Sequence, residues 1–128
     1  MLSLALFAMM LAAPAGATDV NDVLGTWEGE SKCTVPDSPC RDEHVIYEFK
    51  RDGDAKLSLD GYKVVNGEKQ FMGTLSCKLP ANQKLSCSIP GSKRVNDWVF
   101  TIDGKRMTGT LYVDKERTVF RRISVAKK

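Results

Sequence analysis

Few side chains in this 128-residue sequence are suited to catalysis or metal binding. The one histidine is His44, preceded by Asp42 and Glu43; the four cysteines are Cys33, Cys40, Cys77 and Cys87. Acid–base work needs a base within hydrogen-bond reach of the group it activates. Glu43 and His44 are neighbours in an alternating stretch, and neighbours in a strand face opposite ways, so they form no dyad. His44 reads as a polar residue of an outer or rim face. An even cysteine count behind an apolar leader fits two disulfides in an oxidising compartment, which removes the thiols as nucleophiles. Of the three connectivities that four cysteines allow, the spacings favour the local one, Cys33–Cys40 and Cys77–Cys87, because each pair flanks a turn. Neither pair has the two-to-four-residue spacing of a zinc knuckle, and the histidine is distant. Asp52-Gly53-Asp54 is followed by too few ordered oxygen ligands for a calcium loop and reads as a turn. No phosphate-cradling loop is present. The chain is therefore expected to be no enzyme, with no catalytic residue, metal or cofactor.

Residues 1–17 are read apart from the fold. Met1 to Ala13 is almost wholly apolar and uncharged, and Ala15-Gly16-Ala17 is a small-x-small site of the kind cut by signal peptidase. The apolar run is shorter than the ~20 residues that span a bilayer. A signal peptide cleaved after Ala17 is expected, with a periplasmic or secreted protein and no membrane span remaining. No Lys or Arg precedes the apolar run, so either the start lies upstream or the amino terminus alone supplies the charge. The net charge of +3 is carried by residues 18–128. It is small and spread thin, which argues against nucleic-acid binding. A single domain and a monomer are expected.

The rest of the chain alternates. Thr18 to Leu24 is a polar lead-in that can form one helical turn capped by Asp19 or Asn21. Next, Trp27, Gly29, Ser31 and Cys33 point one way while Glu28, Glu30 and Lys32 point the other, a period-2 strand with one wet face. The prolines of Thr34 to Pro39 bar that stretch from a ladder. A second strand, about Cys40 to Lys50, sets Val45, Tyr47 and Phe49 against His44, Ile46 and Glu48. Arg51 to Asp54 turns the chain, and Leu57 and Leu59 face inward on a third strand that runs to Val65. Asn66-Gly67 is a strong hairpin signal. A fourth strand carries Phe71, Gly73, Leu75, Cys77 and Leu79 on one side. After the turn Pro80 to Gln83, a short fifth strand carries Leu85, Cys87 and Ile89. Trp98, Phe100 and Ile102 share a face of the sixth strand, and Met107, Gly109, Leu111 and Val113 of the seventh. The eighth runs from Arg117 to Val125, with Val119, Arg121, Ile123 and Val125 in one parity. Gly73-Thr74-Leu75 and Gly109-Thr110-Leu111 are an echo of two similar strand environments. Eight strands joined by short turns predict an all-β fold, an antiparallel up-and-down β-barrel with two hairpin disulfides and no free edge.

Gly25-Thr26-Trp27 on the first strand of such a barrel resembles the lipocalin and wider calycin group. That resemblance covers residues 18–128 in architecture and implies a lipocalin-like barrel domain. In that group the strand-one Trp lies across the closed end under an Arg of the last strand. This implies a barrel-end plug of Gly25, Trp27 and Arg121, the guanidinium stacked on the indole. Gly25-x-Trp27-x-Gly29 is also similar to the start of the nitrobindin pattern, a related haem-binding barrel. Where that pattern has a further Gly this chain has Ser31, and the late haem-ligating His has no counterpart, so no haem is expected. The size, the leader and the early Gly-x-Trp also resemble small periplasmic protease inhibitors built on a similar barrel, which act through an N-terminal arm. Here that arm, Thr18 to Val23, is short and acidic.

An eight-stranded interior is either packed or holds one small ligand. Small inward residues at Gly29, Ser31, Gly73 and Gly109 would leave room. Tyr47, Leu75, Trp98, Phe100, Leu111 and Arg121 are the candidate ligand-binding residues, with Tyr47 and Arg121 supplying the polar groups. The expected function is binding of a small apolar molecule in the barrel. The alternative is a protein-binding module such as an inhibitor of a secreted or periplasmic enzyme; a third reading is a structural envelope protein. An interior void of ~300 Å³ or more supports the first. A filled barrel with an exposed apolar rim patch supports the second.

Overall fold

The computed structural model describes residues 19–79, 82–93 and 95–128. The expected signal peptide, its cleavage site after Ala17, Thr18, and Pro80-Ala81 of the fourth turn lie outside the described residues. The elements are α1 (Val20–Val23), β1 (Gly25–Cys33), β2 (Glu43–Arg51), β3 (Lys56–Val65), β4 (Glu68–Lys78), β5 (Lys84–Ser88), β6 (Asp97–Asp103), β7 (Arg106–Val113) and β8 (Thr118–Lys127). The eight strands are antiparallel, each pairs with the next, and β8 closes on β1. This is the all-β, up-and-down barrel that the alternation predicts. Among the described residues no helix is long and apolar enough to cross a membrane.

One end of the barrel is closed. Asp19 caps α1 by accepting a hydrogen bond from the Asn21 amide at 3.0 Å, and the Asp22 carboxylate accepts one from the Asp19 amide at 3.0 Å. These two bonds fix a helix too short to persist alone. Val20 and Val23 turn inward, and the fully buried Trp27 indole donates through Nε1 to the Val23 carbonyl oxygen at 2.8 Å. Trp27, Phe49, Leu57, Leu85, Ile102, Met107 and Val125 fill this half of the barrel.

Both disulfides are the local pairs, Cys33–Cys40 and Cys77–Cys87. The first ties the loop after β1 to the top of that strand. The second joins directly opposed inward positions of β4 and β5. It reinforces a short ladder: among the described residues Ser76, Cys77 and Lys78 of β4 are in register with β5. The upper part of the eleven-residue β4 extends past its five-residue neighbour and has no strand partner on that side among the described residues.

Two bulges reset the alternation. Gly61 faces Gly73, whereas Tyr62 faces Phe71, so Met72 is an extra residue on β4. A bulge flips the parity beyond it. Phe71, expected inside, stands outside, 62% exposed, its ring 5.4 Å from that of Tyr62. On β8, Arg121 faces Leu111 but Val119 faces Tyr112, which leaves Phe120 as the extra residue. Val119 therefore departs from the expected parity with Arg121, Ile123 and Val125.

Candidate functional site: a hollow half-barrel with a buried ion pair

Above the packed half lies a cavity of about 430 Å³. Its floor is Phe100. That ring meets Tyr47 and Phe49 edge-on, with centroids 6.0 and 6.5 Å away, the geometry favoured by aromatic quadrupoles. Phe100 lies so close over Gly109 that a Cβ there would come within 2.5 Å of the ring. At Gly29 a Cβ would collide with the backbone of β8. Gly29 and Gly109 thus make room for protein, not for a ligand, contrary to expectation; Gly73 and Ser31 do line the cavity.

The structure brings Tyr47, Leu75, Trp98, Phe100, Leu111 and Arg121 together around this one cavity, joined by Glu43, Val45, Leu59, Met72 and Ile89. The wall has one unusual stretch. A strand in a closed wall offers alternate residues to the interior. Here four consecutive β4 residues, Met72, Gly73, Thr74 and Leu75, border the cavity. Thr74 points outward, donating to the Asp60 carboxylate at 2.7 Å. The cavity therefore reaches around the unpaired edge of β4, with Ile89 and Trp98 on its other bank. Phe71, Met72 and Ile89 are exposed apolar residues along these segments.

At the far rim Arg121 donates through Nη2 to Glu43 Oε1 at 2.9 Å, and through Nη1 to the Ser31 carbonyl oxygen and hydroxyl at 3.3 and 3.2 Å. Both side chains are largely buried, 14% and 22% exposed. This overturns the expected plug. Arg121 is not over Trp27. In the β1–β8 register Trp27 faces Lys127 while Arg121 faces Cys33. Six residues of strand, at ~3.3 Å each, put about 20 Å between the two levels. The cation near the indole is Lys127, 5.8 Å from the ring centroid, its ammonium also donating to the Asp22 carbonyl oxygen at 3.0 Å. Parity alone identified Arg121 as inward; only the register says at which end. Glu43 was missed, although its parity with Val45 and Tyr47 signals an inward carboxylate.

Burial raises the Tyr47 phenol far above its ordinary range, and the Glu43 carboxylate adds to this while Arg121 opposes it. The phenol is a permanent donor. His44 faces outward between Glu30, with Nδ1 2.7 Å from Oε1, and Glu28, with Nε2 3.1 Å from Oε2. These hydrogen bonds, that of Glu30 first, raise its pKa. Glu43 and His44 thus lie on opposite sides of the barrel wall. No group of three or more His, Cys, Asp or Glu side chains is arranged to hold a metal among the described residues.

No protein-family model matches the sequence, and no curated protein is significantly similar to it. Its fold does have relatives among solved structures. One is the crystal structure of Rv2717c from M. tuberculosis, with a TM-score of 0.60 and 11% identity over 85% of this chain and 94% of the other. At that identity the likeness speaks for the eight-stranded barrel alone.

Proposed function

We propose that this protein is a non-enzymatic, extracytoplasmic barrel of the lipocalin type that binds one small apolar molecule in its hollow half. The observation that carries the reading is the cavity. At about 430 Å³ it falls within the ~300–1,000 Å³ of small-molecule sites, and it is walled by aliphatic and aromatic side chains with a few polar groups at one rim. The two disulfides favour an oxidising environment. With the apolar leader they support export to the periplasm or beyond. Native mass spectrometry of the protein purified from an exporting host tests the reading. A stoichiometric small-molecule adduct is expected; bare protein alone, captured with an intact protein partner, would sink it.

One observation favours a second reading, a protein-binding module such as an inhibitor of a secreted enzyme. The unpaired β4 edge beside exposed Phe71 and Met72 is a place where an extended segment of a partner can add a strand. Pull-down of a stoichiometric protein partner that is lost in Phe71→Ser would support it; recovery of no protein partner would count against it.

A further inference from the structure

The cavity's polar groups restrict what kind of apolar molecule it takes. Tyr47 is 6% exposed and lines the cavity, yet no described residue makes a hydrogen bond with its hydroxyl. Among the described residues no fully buried side-chain polar atom lacks a partner, so the Tyr47 hydroxyl is open to the cavity and free to donate to a bound acceptor. Among the described residues the charged side chains that line the cavity are Arg121 and Glu43, and they cancel. Both terminal nitrogens of Arg121 are already engaged, one by Glu43 and one by Ser31. An anionic ligand would bring a second negative charge beside Glu43, with one Arg121 to balance both in a poorly solvated site. A cation would meet Arg121 in the same way.

We propose that the ligand is an uncharged molecule that presents a hydrogen-bond acceptor, such as a ketone or ester oxygen, to the Tyr47 hydroxyl. This rests on the small-molecule reading above. The Glu43–Arg121 pair then acts as a charge filter at the rim, rejecting acids and amines of the same carbon skeleton.

The test is displacement of phenylnaphthylamine, an uncharged fluorophore, by three ligands of matched chain: decane, methyl octyl ketone, and decanoate at about pH 8, where it is ionised. The ketone should bind about tenfold more tightly than decane, as expected for one net hydrogen bond from the Tyr47 hydroxyl. Decanoate should bind at least about tenfold more weakly than the ketone. Tyr47→Phe should shrink the ketone's advantage over decane to within about twofold. Glu43→Gln, which keeps a hydrogen-bonding group beside Arg121, should narrow the gap between decanoate and the ketone. Decanoate binding as tightly as the ketone, or a ketone advantage that survives Tyr47→Phe, overturns the inference while the binding reading stands. Failure of the fluorophore and all three ligands to bind overturns both.

Discussion

Replacing Trp27 probes how the barrel is closed. Trp27 is fully buried, between α1 and the packed half, and its Nε1 supplies a hydrogen bond to the Val23 carbonyl oxygen at 2.8 Å. Trp27→Ala removes the indole and leaves a void that the surrounding strands cannot fill, since each is pinned on both sides by its ladder. Such truncations cost about 3–5 kcal/mol. Trp27→Phe keeps most of the apolar contact but strands the Val23 oxygen, a loss of about 1–3 kcal/mol. The difference between the two variants separates packing from the hydrogen bond. The assay is urea unfolding followed by fluorescence. The chain has two tryptophans, so Trp98, at the cavity, reports on both variants. A loss below about 1 kcal/mol for Trp27→Ala, with the denaturant slope unchanged, would refute the reasoning.

Three further expectations follow from the same structure. The His44 pKa is raised on folding, so its ion pairs with Glu30 and Glu28 add stability that is complete below the unfolded value near ~6.5 and is lost as pH rises through the raised folded value. Melting curves should show His44→Gln destabilised by under about 1 kcal/mol near pH 6, since the pairs are solvent-screened, with the gap closing in alkali; a pH-independent gap contradicts this. Replacing Cys77 and Cys87 together by Ser should cost more than the ~2–3 kcal/mol of loop entropy, because both sites are buried and, among the described residues, just three residue pairs, their own included, join β4 to β5; chemical denaturation of the double variant measures it. Gly109→Ala should destabilise by about 1–3 kcal/mol through its clash with Phe100, and Phe100→Leu in the same chain should recover part of that loss in a double-mutant cycle.

Much of the barrel was legible because strand alternation and turn chemistry are local. Val45, Tyr47 and Phe49 sort to one face by period alone, and Asn66-Gly67 adopts positive φ at both residues, as a two-residue hairpin requires. The local cysteine pairing was legible for the same reason. What was not legible depends on an extra residue or on height along the axis. Nothing in Gly61-Tyr62 or Phe71-Met72 announces a bulge, so Phe71 was expected on the wrong face. Arg121 was assigned inward by parity, but its level follows from how β8 slides along β1, which no short stretch encodes. The six candidate cavity residues meet around one space because parity sufficed for them. That the space stays open depends on where the large rings settle. Phe100 over Gly109 fills the room that the glycines seemed to promise, while Gly61 and Gly73, opposite each other, keep it above.

The central claim is that the far half of the barrel is an open, apolar receptacle. Gly61 lines it, and a Cβ there would meet its neighbours at an ordinary 3.7–3.8 Å, so Gly61→Leu should fold and place its side chain in the void. Titration of phenylnaphthylamine into the wild-type protein and this variant is the most direct measurement. The account predicts saturable one-to-one binding by the wild type and a loss of at least about tenfold in Gly61→Leu, equivalent to ~1.4 kcal/mol, with equal urea stability. No binding by the wild type, or equal binding by both proteins, would contradict it.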